Sequence, residues 1–250
     1  MGATMIIRIG LLLLYLKYTD AIQVTHVSEC GKTRSCWLLP NGCTNATDCS
    51  VMITWKHIGR ALQVEMEADL DVQANGAWIA LGISKDDLMG NDTVLECHFP
   101  RKGKGSVHLS HNLKTSNRLL PEATEMLLKD SYTELRDGRA LCGAEWMLDV
   151  TVLDANEKKL MQRISSGKYH LMFAFGNLDA DSEKKPHELA GEGAPWRSND
   201  QEDPTILPTA SQVNKKVKRS YSLLQYGIIQ VEHEQFLGKQ RRTGHHFYCH

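Results

Sequence analysis

The residues of this chain best suited to chemistry are its seven cysteines: Cys30, Cys36, Cys43, Cys49, Cys97, Cys142 and Cys249. No Cys-x-x-Cys spacing occurs, which argues against a zinc site. The absence of Cys-x-x-Cys-His excludes the usual covalent attachment of a c-type haem. Oxidative cross-linking is the chemistry that remains. Cys30, Cys36, Cys43 and Cys49 crowd into a stretch with few apolar residues, so cross-links among these four would substitute for a core there. Cys97 and Cys142 each begin or end an apolar run and are expected to pair across the sheet, which leaves Cys249 as the odd thiol. Hydrolytic signatures fail: there is no Gly-x-Ser-x-Gly elbow, and His233-Glu234 lacks the second histidine of a zinc-protease helix. Gly103-Lys104-Gly105 lacks the Gly-Lys-Ser/Thr ending of a phosphate loop and reads as a hairpin. Asp86-Asp87 has no partner that the sequence places across a cleft. His245, His246 and His250 beside Cys249 could bind metal, but a chain end is usually mobile.

Cross-links need an oxidising compartment, and the N-terminus agrees with one. Arg8 precedes the uncharged run Ile9 to Leu16, and Lys17 to Ala21 follow it. This is the pattern of a secretory signal over residues 1–21, so a secreted, extracellular protein is expected. The alternative is membrane association through an uncleaved segment. The tripeptides Asn45-Ala46-Thr47 and Asn91-Asp92-Thr93 are N-glycosylation sequons and point the same way. No later stretch is long and apolar enough to span a bilayer, so no transmembrane span is expected in the mature chain. Lys plus Arg (29) nearly balance Asp plus Glu (30), which leaves no basic excess of the kind nucleic-acid binding requires. With 42% hydrophobic and 24% charged residues, the chain of 250 has globular proportions.

The elements that must position these residues read as strands. Val51 to Trp55 is β-branched and aromatic, and Leu62 to Ala68 alternates apolar and polar with period two. Gly76 to Ile83 is apolar on both phases, as suits a central strand covered on both faces. Thr93–Phe99, Arg139–Leu153 and Lys168–Phe175 complete the set. Two short amphipathic pieces, Thr124–Leu135 and Asn156–Ile164, read as helical turns in loops. The fold class is therefore all-β, an antiparallel immunoglobulin-like β-sandwich. A Cys-rich lead-in over 22–50 precedes the sandwich at 51–199. A polar and basic tail over 200–250, with its run Lys215-Lys216-Val217-Lys218-Arg219, follows and is expected to be mobile.

One segment is more specific. Gly76-Ala77-Trp78-Ile79-Ala80-Leu81-Gly82-Ile83-Ser84 ends in a turn, and Met89-Gly90-Asn91-Asp92 follows. This resembles the DOMON family, the β-sandwich modules of cellobiose dehydrogenase cytochromes, dopamine β-hydroxylase and ferric-chelate reductases. Cys30 to Cys36 with Cys43 and Cys49 resemble the lead-in of the ferric-chelate reductase branch, and Asp92 to Cys97 its continuation. Tyr169 to Gly176 followed by His187 is a further match. Together the resemblance covers roughly Cys30 to Asn199.

The resemblance implies a haem b held between Met89 and His187, with His170 as the rival ligand. Trp78 and Phe173 read either as pocket walls or simply as core. A thioether favours ferrous iron more than a second imidazole would, which suits one-electron transfer. The implied partner is a membrane cytochrome or an extracellular reductant. In the membrane reductases a six-helix cytochrome b561 domain follows, whereas nothing after Asn199 is apolar enough here. Some members of the family bind no haem, so a haem-free interaction module assisting a membrane receptor or complex is the competing expectation. A glycan on Asn91, two residues from Met89, would crowd a haem mouth.

Overall fold

Each segment read as a strand contains one, and its place follows from which faces it must bury. The structure, a computed structural model, describes residues 27–70, 76–114, 116–136, 138–207 and 217–219. The expected signal segment, Lys215-Lys216, Cys249 and the C-terminal histidines lie outside these residues. In chain order the strands begin with β1 (Ser35–Leu39), β2 (Val51–Ile58), β3 (Ala61–Asp69), β4 (Gly76–Ser84), β5 (Thr93–Pro100), β6 (Ser106–Leu113) and β7 (Ser116–Leu119). Helix α1 (Pro121–Leu127) leads into β8 (Leu128–Arg136) and β9 (Arg139–Met147). The short helix α2 (Ala155–Lys158) precedes β10 (His170–Asn177), β11 (Trp196–Ser198) and β12 (Val217–Arg219).

Two antiparallel sheets result, one ordered β1-β2-β3-β9-β8 and the other β12-β11-β10-β4-β5-β6-β7. They face each other across one core. Strand β3 shows why. Its Leu62, Val64, Met66 and Ala68 turn inward, while Gln63, Glu65 and Glu67 alternate with them. Strand β4 is buried along its whole length because it lies near the middle of the larger sheet. Its Ala77, Ile79, Leu81 and Ile83 enter the main core, and Trp78 and Ala80 join a second cluster with Val94 and Leu178 on the opposite face. Each large apolar side chain fully buried this way, such as Phe173 or Trp146, stabilises the fold by roughly 1.5–3 kcal/mol.

Three departures from the sequence reading have physical causes. The stretch Thr124–Leu135 is helix only to Leu127 and then becomes edge strand β8. An irregularity between Lys129 and Tyr132, with Asp130 at φ 47°, breaks the alternation there, and the solvent-facing edge tolerates polar residues on both phases. The Cys-rich lead-in supplies β1, whose Trp37 and Leu39 are buried and which pairs with β2. Arg34, buried, pairs with Glu29 and Glu65 and ties that lead-in to the sheet. At the other end, Val217–Arg219 of the basic run lies beside β11 as strand β12.

Three disulfides close within the described residues: Cys30–Cys36, Cys43–Cys49 and Cys97–Cys142. The first two stay inside the lead-in. The third crosses from β5 to β9 and so joins the two sheets.

Candidate functional site

Met89 sits half-buried on the loop that follows β4, and short-range bonds fix the loop's course. The Asp86 carboxylate accepts from the Leu88 N–H at 3.0 Å. The Asp92 Oδ2 accepts from the Gly90 N–H at 2.8 Å and from Asn112 Nδ2 at 3.1 Å. Gly90 adopts φ +137°, and a Cβ there would meet Lys114 Cα at 3.1 Å, so only glycine fits the turn. Longer-range partners hold the loop from two sides. Gln162 donates its backbone N–H to Thr93 Oγ1 at 2.7 Å and its Nε2 to the Asn91 carbonyl at 2.8 Å. Arg197, from β11, donates to the Asp87 carbonyl at 3.0 Å and pairs with the Asp87 carboxylate. The Arg197 hydrogen bond to the Asp87 carboxylate, with the Arg197 charge and a weaker pull from His170, holds the Asp87 carboxyl below its ordinary value.

The strand register decides which residues share a face with this loop. Phe173 stands opposite Leu81, and Trp78 opposite Gly176. Phe173 therefore points into the main core, fully buried, while Trp78 points out of the other side of the sheet. The two expected pocket walls lie on opposite faces and cannot line one pocket. The outward residues of β10 are His170, Met172, Ala174 and Gly176, all half-buried. Beneath and beside them lie Gly82 and Ala80, with the Met172 Cβ only 3.3 Å from where a Gly82 Cβ would be. A strip of small and flexible apolar residues thus runs along the outer face.

The two candidate histidines occupy different ends of this strip. His170 stands opposite Ser84, at the end from which the Met89 loop departs, and its Nδ1 donates to the Ser198 carbonyl at 3.2 Å. His187 follows Lys185, whose N–H donates to the Asn177 carbonyl opposite Ala77, at the far end. Its Nδ1 donates to the Glu188 carbonyl at 2.8 Å. The strand between Ala77 and Ser84 is roughly 23 Å long, so the two loops approach the strip from opposite directions. In both imidazoles the Nδ1 donates to a carbonyl, which leaves Nε2 as the nitrogen that could face a ligand, the arrangement metal-binding histidines use.

A group the sequence reading missed lies beside Trp78. Glu96 of β5 is fully buried, and its carboxylate receives His98 Nε2 at 2.9 Å, Ser110 Oγ at 2.7 Å and Lys184 Nζ. Lys184 also donates to Asn117 Oδ1 at 2.9 Å and lies 5.0 Å from the centroid of the Trp78 ring. The Trp78 Nε1–H donates to the Lys185 carbonyl at 2.9 Å. Burial would raise the Glu96 pKa, but the His98 hydrogen bond and the Lys184 charge, with smaller help from Ser110, hold it at about 2. A lone carboxylate among Val94, Leu95, Cys97 and Phe99 was the signal that could have revealed it. Both sequon asparagines, Asn45 and Asn91, are exposed.

These features define an antiparallel β-sandwich that carries a methionine on a clamped loop at the edge of a small-residue strip. No protein-family model matches the chain. It is 31% identical to the DOMON domain-containing protein FRRS1L of Homo sapiens over 94 residues, 38% of this chain and 30% of that protein. It is 24% identical to the putative ferric-chelate reductase 1 homolog of Drosophila melanogaster over 160 residues, 64% of this chain and 24% of that one. The match to putative ferric-chelate reductase 1 of Danio rerio is 28% over 162 residues, 64% of this chain and 26% of the relative. The resemblance to the DOMON, ferric-chelate reductase-like family therefore holds. The chain spans between 24% and 30% of the length of these relatives.

Proposed function

We propose that this chain is an extracellular DOMON module that holds haem b on the outer face of its larger sheet and passes single electrons. The observation that carries this reading is the strip of Gly82, Met172 and Ala174, bracketed by the Met89 loop at one end and the His187 segment at the other. Met89 and His187 would hold the iron from segments that reach the strip from its two ends, and His170, beside the Met89 loop, is the alternative donor. The donor set suits the group: a soft thioether, and an imidazole whose Nε2 is free. Bound haem would supply one-electron redox chemistry, with the thioether favouring the ferrous state. The chain's own residues would position the donors and exclude water: the Asp92, Gln162 and Arg197 clamp limits the travel of Met89, and Met172 and Ala174 supply the apolar wall, while Trp78 is closed over by Lys184. Phe173 supports that wall from the core side of the sheet. Three disulfides fit an oxidising, extracellular setting, and among the described residues no helix is long and apolar enough to cross a membrane. The electron partner on this reading is a membrane cytochrome.

The test is the visible spectrum of the haem-supplemented protein, oxidised and then reduced with dithionite. The expected result is a sharp Soret shift with resolved α and β bands. Met89→Leu and His187→Ala should each abolish that six-coordinate signature, and His170→Ala should keep it. A featureless spectrum from well-folded protein overturns the reading.

One observation favours a second reading, a haem-free interaction module that assists a membrane complex. The Trp78 ring is already closed by Lys184, and its N–H is already bonded to Lys185, so it does not wait for a ligand. A featureless spectrum together with unchanged stability of Met89→Leu, a volume-conserving change, would support that module.

A further inference from the structure

His187 lies two residues beyond Lys185, and everything that fixes Lys185 also restricts His187. The segment leaves β10 with the Leu178 N–H bonded to the Gly76 carbonyl at 3.1 Å and returns through a bridge between Leu178 and Lys184. Lys185 is then held at both its backbone groups, by the Asn177 carbonyl at 3.0 Å and by the Trp78 Nε1–H at 2.9 Å. Pro186 comes next. Its ring fixes its own φ and confines Lys185 to extended backbone, so little torsional freedom separates Lys185 from His187. The deepest attachment is the Lys184 side chain, whose ammonium ends on the fully buried Glu96, on Asn117 and over the Trp78 ring. Glu96 is in turn held in place by His98 from its own strand and Ser110 from β6. A buried charge that loses its partner is strongly disfavoured, so this pair resists opening.

We propose that Glu96, Lys184 and Trp78 form a clasp that sets the position of His187, which makes Glu96 and Lys184 positioning residues for the histidine donor. The proposal rests on the haem reading and deepens it. The clasp touches neither iron nor porphyrin; it acts through the short, proline-stiffened link to the imidazole.

Two variants and two readouts test it. Lys184→Met keeps the length and apolar stem of the side chain and removes its charge. Trp78→Phe keeps an aromatic ring and removes the N–H that holds Lys185, so it stands in where the first variant folds poorly. Hydrogen exchange, which needs no haem, reads the clasp itself. Amides in residues 178–188 should exchange at least about tenfold faster in either variant, while those of β3 and β9 stay unchanged. The absorption spectrum and reduction potential of the haem-loaded protein read the positioning. Each variant should lose the low-spin signature or shift its potential although Met89 and His187 are intact. Unchanged exchange in 178–188 overturns the clasp whatever the haem does. Faster exchange with an unaltered spectrum and potential overturns the positioning role. Faster exchange in a protein whose wild type takes up no haem overturns the haem reading and the ligand role with it, and leaves only a loop anchor.

Discussion

Cys97 and Cys142 hold the two sheets together from inside the core. Their Cα atoms are 6.4 Å apart, both residues are fully buried, and one belongs to β5 and the other to β9. The bridge closes a loop with a sequence separation of 45, against 6 for Cys43–Cys49. Loop-closure entropy makes the longer cross-link the more stabilising, by about 4 kcal/mol against about 2. Replacing Cys97 and Cys142 with alanine should therefore lower the urea midpoint clearly more than replacing Cys43 and Cys49. Equal losses from the two double variants would mean that loop closure does not govern stability here.

The Met89 loop should be intolerant at Gly90, whereas the turn at Gly59 should tolerate a side chain, although both glycines have positive φ. Gly59, at φ +59°, has nothing within 4 Å of where a Cβ would stand, so alanine there costs about 1 kcal/mol for the left-handed backbone alone. Gly90, at φ +137°, would in addition press on the Lys114 backbone, and alanine there should cost about 3 kcal/mol. Asp92→Ala should behave like the Gly90 variant, because it strands the Gly90 N–H and Asn112 Nδ2, at a cost of about 2–3 kcal/mol. Thermal melts of the three variants check the order.

How much of this is readable in the sequence depends on how local each interaction is. The Met89 loop is legible because its determinants sit within four residues: a methionine, a glycine with a forced φ and an aspartate that accepts from the glycine's N–H. The central strand β4 is legible because burial on both faces leaves an unbroken apolar run. The Glu96–Lys184 pair is not, because it joins residues 88 apart and Lys184 reads as one charge among Asp179, Asp181, Glu183 and Lys185. Trp78 and Phe173 look like walls of one pocket because both lie on apolar strands, and only the cross-strand register reveals that they face opposite sides. Strand β6 escapes notice because its outward positions are polar. His108 and Ser110 alternate with the inward Val107 and Leu109, and inward His111 breaks the apolar pattern.

Glu96 gives the fold a defined acid sensitivity. Its carboxyl is held at about 2 in the folded protein, below the ordinary glutamate value of 4.5. A depressed carboxylate contributes stability that is fully present above the unfolded value and is lost as pH falls through the folded one. The window is therefore pH 4.5 down to about 2. Across it the contribution is on the order of 3 kcal/mol. Urea midpoints measured at steps from pH 5 to 2.5 should fall more steeply for the wild type than for Glu96→Gln. Parallel curves would show that Glu96 is not the group that titrates.

His111 should add a second, milder sensitivity nearer neutrality. It is buried on the core side of β6, and its Nδ1 has no hydrogen-bond partner, nor has the neighbouring Asp92 Oδ1. Burial holds its imidazole below the ordinary histidine value of 6.5, against a smaller upward pull from the Leu160 and Asp92 carbonyls and the Asp92 charge. Above pH 6.5 both folded and unfolded chains carry a neutral ring, so the group has no pH effect there. Below it the unfolded chain takes up a proton that the folded chain resists, and stability falls with pH until the folded value is reached. His111→Gln keeps a polar side chain that does not titrate. Its stability relative to the wild type should therefore rise as pH drops from about 7 toward about 5, as read by paired urea titrations. A difference that stays constant over that range would place the titrating histidine elsewhere.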